Sequence, residues 1–382
     1  MISWSPPLVG GVPYTELKYD KAEVRAVGEA FRRSDPKRQD HVALTPEQLE
    51  AARAILDNWR AAHTRPLIAF RMNLQQHVKR VVPQHEAPVV AQRIKREESI
   101  VLKLQRLEWL HLDRMQDIGG VRAVVSTVAQ VRRLRALHRQ SKSRNEFVKE
   151  DDYLDDKPKA SGYRGIHLIY AFHCPGTSWH GLNAEIQLRT FLQHQWATAN
   201  EVVGYGRGEK FKSGEGDSRW LRMFTLIGAA FAQLEKTKAI TESPKTFGPV
   251  PPTLAELRPL IAQLDEDIKF RECVASYGVG FKAIDQSKAM KNRYWFLLRL
   301  DIQKRELNIR SYKVRDIRTA EKHLAEAERE RESGAIIDVC LVSVHDMRNL
   351  RRAYPNYHLD TTRFLARLNT VLNGASASSA SA

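Results

Sequence analysis

The stretch MQDIGGVRAVV, Met115–Val125, places a carboxylate and two glycines directly before a run of small and β-branched apolar residues. Such a run is typical of a buried strand, and glycines at its start let a second backbone or a ligand approach closely. Two further apolar runs of strand length follow, Ile166–Phe172 and Ala184–Leu188, with helix-like segments between them. The pattern predicts an α/β domain, in the broader sense that includes α+β arrangements.

The last of these runs, AEIQLRT at Ala184–Thr190, alternates strictly between apolar and polar residues. Successive side chains of a strand point to opposite faces, so Glu185, Gln187 and Arg189 share one face. Asp117 and Glu185 are therefore candidate Mg²⁺ ligands, because two carboxylates plus substrate phosphates commonly hold this ion during phosphoryl transfer. The alternative is a pair of surface carboxylates on edge strands.

A cationic segment, RIKREESIVLKLQR, precedes that region. Strand spacing followed by helical steps of four and three puts five polar residues on one face: Arg93, Lys95, Ser99, Lys103 and Arg106. Such a face beside a strand-to-helix turn suits a triphosphate, since Lys, Arg and hydroxyl donors can converge on phosphate oxygens. The alternative is an ordinary solvated helix face.

The loop KPKASGYRGIH, Lys157–His167, combines glycines and lysines with an aromatic residue expected to be exposed at its tip, and it leads into a strand. Tyr163 is suited to stacking on a nucleobase, with neighbouring cations for phosphates. His167 begins the strand and could face the same site, although a single histidine there can equally be structural.

Composition limits the possible functions. The chain has 382 residues, 61 Lys and Arg against 45 Asp and Glu, and a net charge of +16. This charge favours polyanions such as a nucleoside triphosphate, RNA or an acidic protein. No apolar stretch approaches a membrane span, so we expect a soluble, cytoplasmic protein without a membrane partner. Cys174, Cys273 and Cys340 are too few and too scattered for a disulfide framework or a CxxC-type zinc site.

The chain length predicts more than one globular unit. Thr45 and Gln48 form a capping-box signature for a helix in the N-terminal part, whereas Thr241–Pro252 has the proline and glycine content of a linker. Lys210 and Lys212, in a glycine-rich stretch read as a loop, are candidate RNA contacts. The predicted parts are a helical region, an α/β domain, a linker, a small α+β unit and a disordered tail, at residues 1–88, 89–240, 241–253, 254–373 and 374–382.

Taken in order, the motifs RIKREESIxxKLxR, MQDIGGVR, PKxSGYRGIH and EIQLRTxxxHxWA resemble the synthetase domain of the RelA/SpoT family. The resemblance implies a nucleotidyltransferase-like mixed β-sheet and transfer of pyrophosphate from ATP to a ribose 3′-hydroxyl with Mg²⁺. It implies that the cationic segment holds ATP with Arg93 near the adenine, and that Arg122 assists with phosphates. Tyr163 would stack on the acceptor base, with His167 and Gln187 at its ribose. Asp117 and Glu185 would bind Mg²⁺, and Glu185 could also accept the attacking hydroxyl's proton.

The C-terminal part resembles the antitoxin domain of CapRel-type fused toxin and antitoxin proteins. The resemblance rests on Asp338–Ser343 followed by RAYPNYHLDT at Arg352–Thr361. It implies a pseudo-zinc-finger-like α+β fold without metal, in which Tyr354 and Tyr357 block the ATP site. The alternative is two tyrosines that pack a corner between a strand and a helix.

These resemblances lead to one main expectation and two alternatives. We expect a monomeric toxin that pyrophosphorylates the 3′-CCA end of tRNA, is inhibited by its C-terminal domain, and is activated in antiphage defence by a phage protein, the major capsid protein, binding that domain. The first alternative is a synthetase of the alarmone (p)ppGpp with GDP or GTP as acceptor. The second is a catalytically silent sensor that keeps the fold.

Overall fold

The computed structural model describes residues 14–209, 211, 216–238, 240, 248–279, 281–285, 295–330, 337–344 and 347–374. In chain order the helices of these residues are α1 Lys21–Arg33, α2 Pro46–Ala62, α3 Thr64–Val81, α4 Glu97–Arg106, α5 Val128–Arg139, α6 Phe191–Arg207, α7 Ser218–Leu234, α8 Leu254–Ile268, α9 Phe270–Ser276, α10 Ile317–Arg329, α11 Met347–Ala353 and α12 Thr362–Leu372. The strands are β1 Val89–Ile94, β2 Gly119–Val125, β3 Glu146–Asp152, β4 Ile166–Ala171, β5 Asn183–Thr190, β6 Lys282–Asp285, β7 Trp295–Asp301, β8 Glu306–Tyr312 and β9 Ile337–Ser343.

Helices α1 and α2 begin the described chain, and the predicted cap of α2 is confirmed. The hydroxyl of Thr45 accepts a bond from the Gln48 N–H, and the Gln48 side chain accepts one from the Thr45 N–H, at 3.2 and 3.0 Å. The apolar faces of these helices bury Val24 and Leu56 against Leu104 of α4. This packing fixes α4 beside the sheet.

The strands form one mixed sheet in the order β3-β4-β5-β2-β1-β9-β7-β8-β6. Strands β2 and β5 are parallel, as are β6 and β8, and the other neighbours are antiparallel. The predicted mixed α/β fold is confirmed. In the C-terminal part, β7 and β8 form an antiparallel pair from Trp295↔Tyr312 to Asp301↔Glu306.

The sheet continues across the boundary predicted at residues 241–253. Strand β9 is the hydrogen-bonded neighbour of β1, with Arg93 opposite Val342, and all seven of its residues are buried. A strand buried on both faces needs partners on both edges, because its backbone groups have no access to water. The N-terminal and C-terminal parts therefore share one sheet.

The two faces of the sheet are covered differently. On one face α3 and α5 pack on the apolar residues of β2, β4 and β5, including Val121, Leu168 and Ile186. On the other face, polar residues line β3, β4, β5 and β2, while the C-terminal segment Leu350–Leu359 covers β1, β9 and β7 with an apolar cluster. The polar half of that second face is open.

The stretch read as a glycine-rich loop after residue 204 is partly helical, so that prediction was wrong. Helix α6 continues through Gly204 and Gly206 to Arg207 and ends at Gly208, which has a left-handed φ of 67°. Lys210, Lys212, residues 241–247 of the predicted linker and residues 375–382 of the predicted tail lie outside the described residues. No helix in the part of the chain that the structure describes is long and apolar enough to cross a bilayer.

Candidate active site

A cavity of about 660 Å³ lies over the polar half of the sheet. Strand register explains its composition: Gly120 and Arg122 of β2 lie opposite Glu185 and Gln187 of β5, and Gln187 lies opposite His167 of β4. Among the described residues, nine Lys and Arg side chains and three carboxylates line it. The predicted residues found in the lining are Arg93, Lys95, Lys103, Arg106, Asp117, Arg122, Tyr163, His167, Glu185, Gln187 and Tyr354.

Asp117 is held by two of the predicted phosphate-binding lysines. Its carboxylate oxygens lie 2.8 Å from Lys95 Nζ and 2.9 Å from Lys103 Nζ. Burial alone would raise the pKa of Asp117, but the two ammonium groups outweigh it and the pKa is lowered. Burial lowers the pKa of Lys95, and the charge of Asp117 opposes this. Lys95, Lys103 and Asp117 thus form a cluster of ion pairs at the cavity wall.

Glu185 lies at the centre of the cavity floor. Its Oε1 is 2.7 Å from His167 Nδ1, and its Oε2 accepts a bond from the Gln187 amide. Burial would raise the pKa of Glu185, but His167, the Gln187 bond and Lys95 lower it well below its usual range. A Cβ on Gly120 would lie 3.7 Å from Oε2, so the glycine keeps the space beside this carboxylate open.

Tyr163 lines the cavity but is only 8% exposed, so the prediction of an exposed loop tip was wrong. The loop lies against α7, where Gly162 approaches Gly228 so closely that a Cβ on Gly228 would lie 2.5 Å from the Gly162 Cα. The Tyr163 hydroxyl is 2.6 Å from His167 Nε2 and accepts a bond from Arg189. The chain Arg189–Tyr163–His167–Glu185 links the loop to the floor.

Two cations contact the Tyr163 ring. Lys159 Nζ lies 5.2 Å and Arg189 Cζ 4.8 Å from its centroid. Both distances lie within the range of cation–π contacts. Stacking of a base on this ring, as the sequence predicts, would replace one of these contacts.

Tyr354 closes the end of the cavity over β1 and β2. Its ring centroid is 5.3 Å from the Arg122 guanidinium carbon, and its hydroxyl donates to the Gln92 carbonyl oxygen at 2.9 Å. Tyr354 is 2% exposed. Tyr357 packs behind it, with ring centroids 6.5 Å apart, and is absent from the cavity lining. The two tyrosines thus differ in position: both belong to the apolar cluster, but only Tyr354 also forms a wall of the cavity.

Two predicted site residues, Ser99 and Tyr357, do not line the cavity. Further lining residues lacked a recognised motif. Lys149 and Asp151 are two apart on β3, a strand periodicity that could have identified them, and they pair at 2.9 Å.

The rim of the cavity is formed by Trp109, Arg114 and the α4 residue Arg106. The Trp109 side chain is 74% exposed. No local pattern marks Trp109, because it lies in an irregular segment between α4 and β2.

The carboxylates suit a magnesium ion by the chemistry of their donors. Mg²⁺ prefers carboxylate and phosphate oxygens, the pKa values of Asp117 and Glu185 are both lowered, and the space over Gly120 beside Glu185 is open. These two residues would hold the ion.

Comparison with known proteins shows a similarity between the segment that forms this site and a known family. Residues 92–210 match the family described as "Region found in RelA / SpoT proteins". This segment is similar to RelA/SpoT regions. It contains every predicted site residue except Tyr354 and Tyr357. The predicted RelA/SpoT resemblance is therefore confirmed for that segment, and the CapRel-type character of the C-terminal part stays a prediction.

Curated proteins and solved structures are also similar to parts of this chain. Uncharacterised proteins of Mycobacterium tuberculosis (strain ATCC 25618 / H37Rv) and Mycobacterium bovis are 32% identical over 130 residues, which are 32% of this chain and 42% of each relative. The chain thus spans less than half the length of these relatives. Small alarmone synthetase 1 from Bacillus subtilis, bound to its product pppGpp, is 21% identical with a TM-score of 0.41, over 47% of this chain and 93% of that one. A GTP pyrophosphokinase family protein from Streptococcus pneumoniae is 27% identical with a TM-score of 0.36, over 50% and 91%.

Proposed function

We propose that this protein is an ATP-dependent pyrophosphokinase whose acceptor is a ribose hydroxyl of a nucleotide. The observation that carries the proposal is the cavity, in which nine cations surround Asp117 and Glu185. A polyphosphate bound with Mg²⁺ needs this combination, because its oxygens require many donors and its metal requires carboxylates. The RelA/SpoT match over residues 92–210 supports the same reaction.

In the proposed reaction the acceptor hydroxyl oxygen attacks the β-phosphorus of ATP. The bond from that phosphorus to the α–β bridging oxygen breaks, AMP leaves with that oxygen, and the proton of the hydroxyl is released to water. Mg²⁺ held at Asp117 and Glu185 would neutralise charge on the phosphates. Lys95 and Lys103, which contact Asp117 at 2.8 and 2.9 Å, are placed to exchange it for phosphate oxygens.

The lowered pKa of Glu185 supports a role in metal ligation rather than in proton abstraction. A general base works best when its pKa lies near the operating pH. The pKa of Glu185 is well below its usual range despite its burial, because His167, Gln187 and Lys95 stabilise its charge. His167 bonds to Glu185 through Nδ1 and to Tyr163 through Nε2, and so fixes the carboxylate's orientation.

We propose the 3′-CCA end of tRNA as the acceptor, with inhibited translation as the outcome. The net charge of +16 suits RNA. Trp109 adds an exposed ring at the rim beside Arg106, and aromatic rings with cations are the usual means of holding single-stranded bases. A free guanine nucleotide is the second candidate, because about 660 Å³ is an ordinary size for a small-molecule site.

Inhibition by the C-terminal part belongs to the same proposal. Tyr354 occupies the wall beside Arg122, where a nucleotide approaching Arg93 and Arg122 would meet it. In this scheme a phage protein, the major capsid protein, binds the C-terminal unit of the monomeric, cytoplasmic toxin and favours a state in which Tyr354 has moved away.

The test is incubation of purified protein with γ-labelled ATP and Mg²⁺, with either bulk tRNA or GDP and GTP, and with or without the capsid protein. Label on tRNA supports the main proposal, and label on guanine nucleotide supports the alarmone alternative. Absence of label from both acceptors under all conditions, with ATP still bound, would indicate a catalytically silent sensor.

A further inference from the structure

The segment that joins β1 to α4 carries the first cations of the site. Arg93 and Lys95 line the cavity before α4, and Lys103 lines it from within the helix. Their positions relative to Asp117 depend on the backbone between Lys95 and Glu97. On one side this backbone is tied to the strand end by a bond from the Lys95 N–H to the Ile118 carbonyl, at 2.8 Å.

On its other side the same backbone is held by a buried arginine from α2. Arg60 Nε donates to the Lys95 carbonyl oxygen at 3.0 Å. The remaining guanidinium nitrogens of Arg60 donate to both oxygens of Glu328 on α10, at 2.7 and 2.8 Å. This fork geometry is rigid, because the guanidinium is planar and both bonds are charge-assisted.

Glu328 also closes the start of α4. The residue in the N-cap position, Arg96, makes no side-chain capping bond. Instead Glu328 Oε1 accepts the backbone N–H of Glu97 at 3.1 Å. A carboxylate at a helix N-terminus satisfies an otherwise unpaired donor and is favoured by the helix dipole. A residue 231 positions away thus does the work of a local cap.

The acidic groups at this junction are matched by arginines. Carboxylate oxygens of Asp57, Glu97 and Glu328 lie within 4.8 Å of one another. Arg60 contacts Asp57 at 3.2 Å in addition to Glu328, and Arg53 contacts Glu97 at 3.0 Å. Because these cations already offset the carboxylates, the group is a structural network and needs no metal ion.

We propose that Glu328 is a positioning residue for ATP binding: from the C-terminal unit it fixes, through Arg60, the turn that presents Lys95 and Lys103. The inference rests on the proposed function for the identity of the ligand. It adds a second role for the C-terminal unit, which supports the donor site from one face of the sheet while Tyr354 obstructs it from the other.

The closing experiment compares full-length wild type with Glu328→Gln, which keeps the shape of the side chain and removes its charge. The matched control is Glu326→Gln, an exposed glutamate on the same helix that faces Lys322 at 3.7 Å. We expect the ATP KM of Glu328→Gln to rise about tenfold, since bonds to charged groups are worth that order. The acceptor KM should stay within about twofold, as should every constant of Glu326→Gln.

A second readout, hydrogen exchange of the amides of residues 95–99 without ligand, should be faster in Glu328→Gln than in the other two proteins. If Glu328→Gln does not fold, Arg60→Lys replaces it, because it keeps the positive charge and loses the fork. A lower melting temperature with unchanged ATP KM and unchanged exchange would overturn the inference. A wild type that transfers nothing, with or without the capsid protein, refutes the proposed function instead, and the exchange comparison then decides the positioning role alone.

Discussion

One face of the β-sheet differs on the two sides of Arg122. Over β2, β5 and β4 it carries charged and amide side chains, including Glu185 and His167, and is open to solvent through the cavity. Over β9 and β7 it carries Val342 and Phe296, covered by the segment that contains Tyr354. Strands of the same geometry thus carry an open polar surface in one half and a covered apolar surface in the other. The side-chain chemistry decides whether a half suits phosphate or packs against protein.

The boundary between the two halves is where the proposed inhibition by Tyr354 would act. Its ring belongs to the apolar cluster, yet it contacts Arg122, whose guanidinium lies in the cavity lining. Displacing the ring would expose apolar surface and uncover a cation together. In the proposed scheme, activation would therefore require a partner that stabilises the exposed state, because a ligand shifts such an equilibrium only through its preference for one form.

The largest effect is expected in the polar half. Glu185→Gln removes the charge and keeps the shape, so pyrophosphate transfer should fall by about 10² to 10⁴-fold. The measurement is the rate of label transfer to tRNA and to GTP. Glu150→Gln is the matched control, because Glu150 lies on β3 of the same sheet and pairs with Arg135, outside the cavity lining. Full activity of Glu185→Gln would remove this residue from the site.

The next effect tests the apolar half. Tyr354→Ala combined with Tyr357→Ala should raise activity without the trigger about tenfold if it shifts the closed state by ~1.4 kcal/mol. Both side chains are at most 2% exposed, so the double variant should also lose several kcal/mol of stability, on the order of 3–5 per large aromatic residue. Growth on induction and thermal unfolding measure the two effects.

Tyr354→Phe separates inhibition from packing. It removes the hydroxyl and with it the bonds to the Gln92 carbonyl and to Arg122, a loss of ~0.5–1.5 kcal/mol per bond, and it keeps the ring. We expect a small rise in activity with near-normal stability. Toxicity of the double alanine variant that persists with Glu185→Gln added would show that the harm does not come from pyrophosphate transfer.

Many site residues of the polar half could be predicted from sequence, because they belong to short local patterns. The alternation around Glu185 predicts which side chains of β5 share one face, and the glycines before Val121 mark the start of β2. The parallel register of β2 and β5 then brings these residues together. The apolar half could not, since the pairing of β9 with β1 joins residues about 250 positions apart and no local spacing records it. Tyr163 shows the same limit: its loop reads as exposed, and only the approach of Gly162 to α7 covers it.

A third effect concerns the rim of the polar half. Trp109→Ala should weaken modification of an RNA acceptor by about 5- to 100-fold, since stacking is worth ~1–3 kcal/mol per base. Trp109→Phe, which keeps an aromatic face, is the matched control and should lose less. Stability should not change, because the ring is 74% exposed. Equal KM values of wild type and Trp109→Ala for tRNA would rule out a stacking role.

The smallest effect compares two buried glutamates on opposite faces of the sheet. Glu185 has cationic and amide partners and a lowered pKa, whereas Glu321 on α10 accepts bonds from the hydroxyls of Thr15 and Thr64 at 2.8 and 2.9 Å. Burial raises the pKa of Glu321 to about 7, although these bonds and nearby arginines oppose it. Hydroxyl groups stabilise a buried carboxylate less than cations do.

This difference predicts a pH dependence of stability with a definite sign. Between the unfolded pKa of Glu321 and about 7, the folded protein binds more protons at this residue than the unfolded chain does. The free energy of unfolding therefore falls as pH rises through that window. Compared with Glu321→Gln, which cannot ionise, the wild type should lose about 1–3 kcal/mol between pH 5 and pH 8. Denaturant unfolding at both pH values measures the difference, with the exposed Glu326→Gln as control. If the free energy of unfolding changed equally with pH in Glu321→Gln and wild type, Glu321 would ionise in the folded protein without a cost in stability. The hydroxyls of Thr15 and Thr64 would then stabilise its charge as well as cations stabilise that of Glu185.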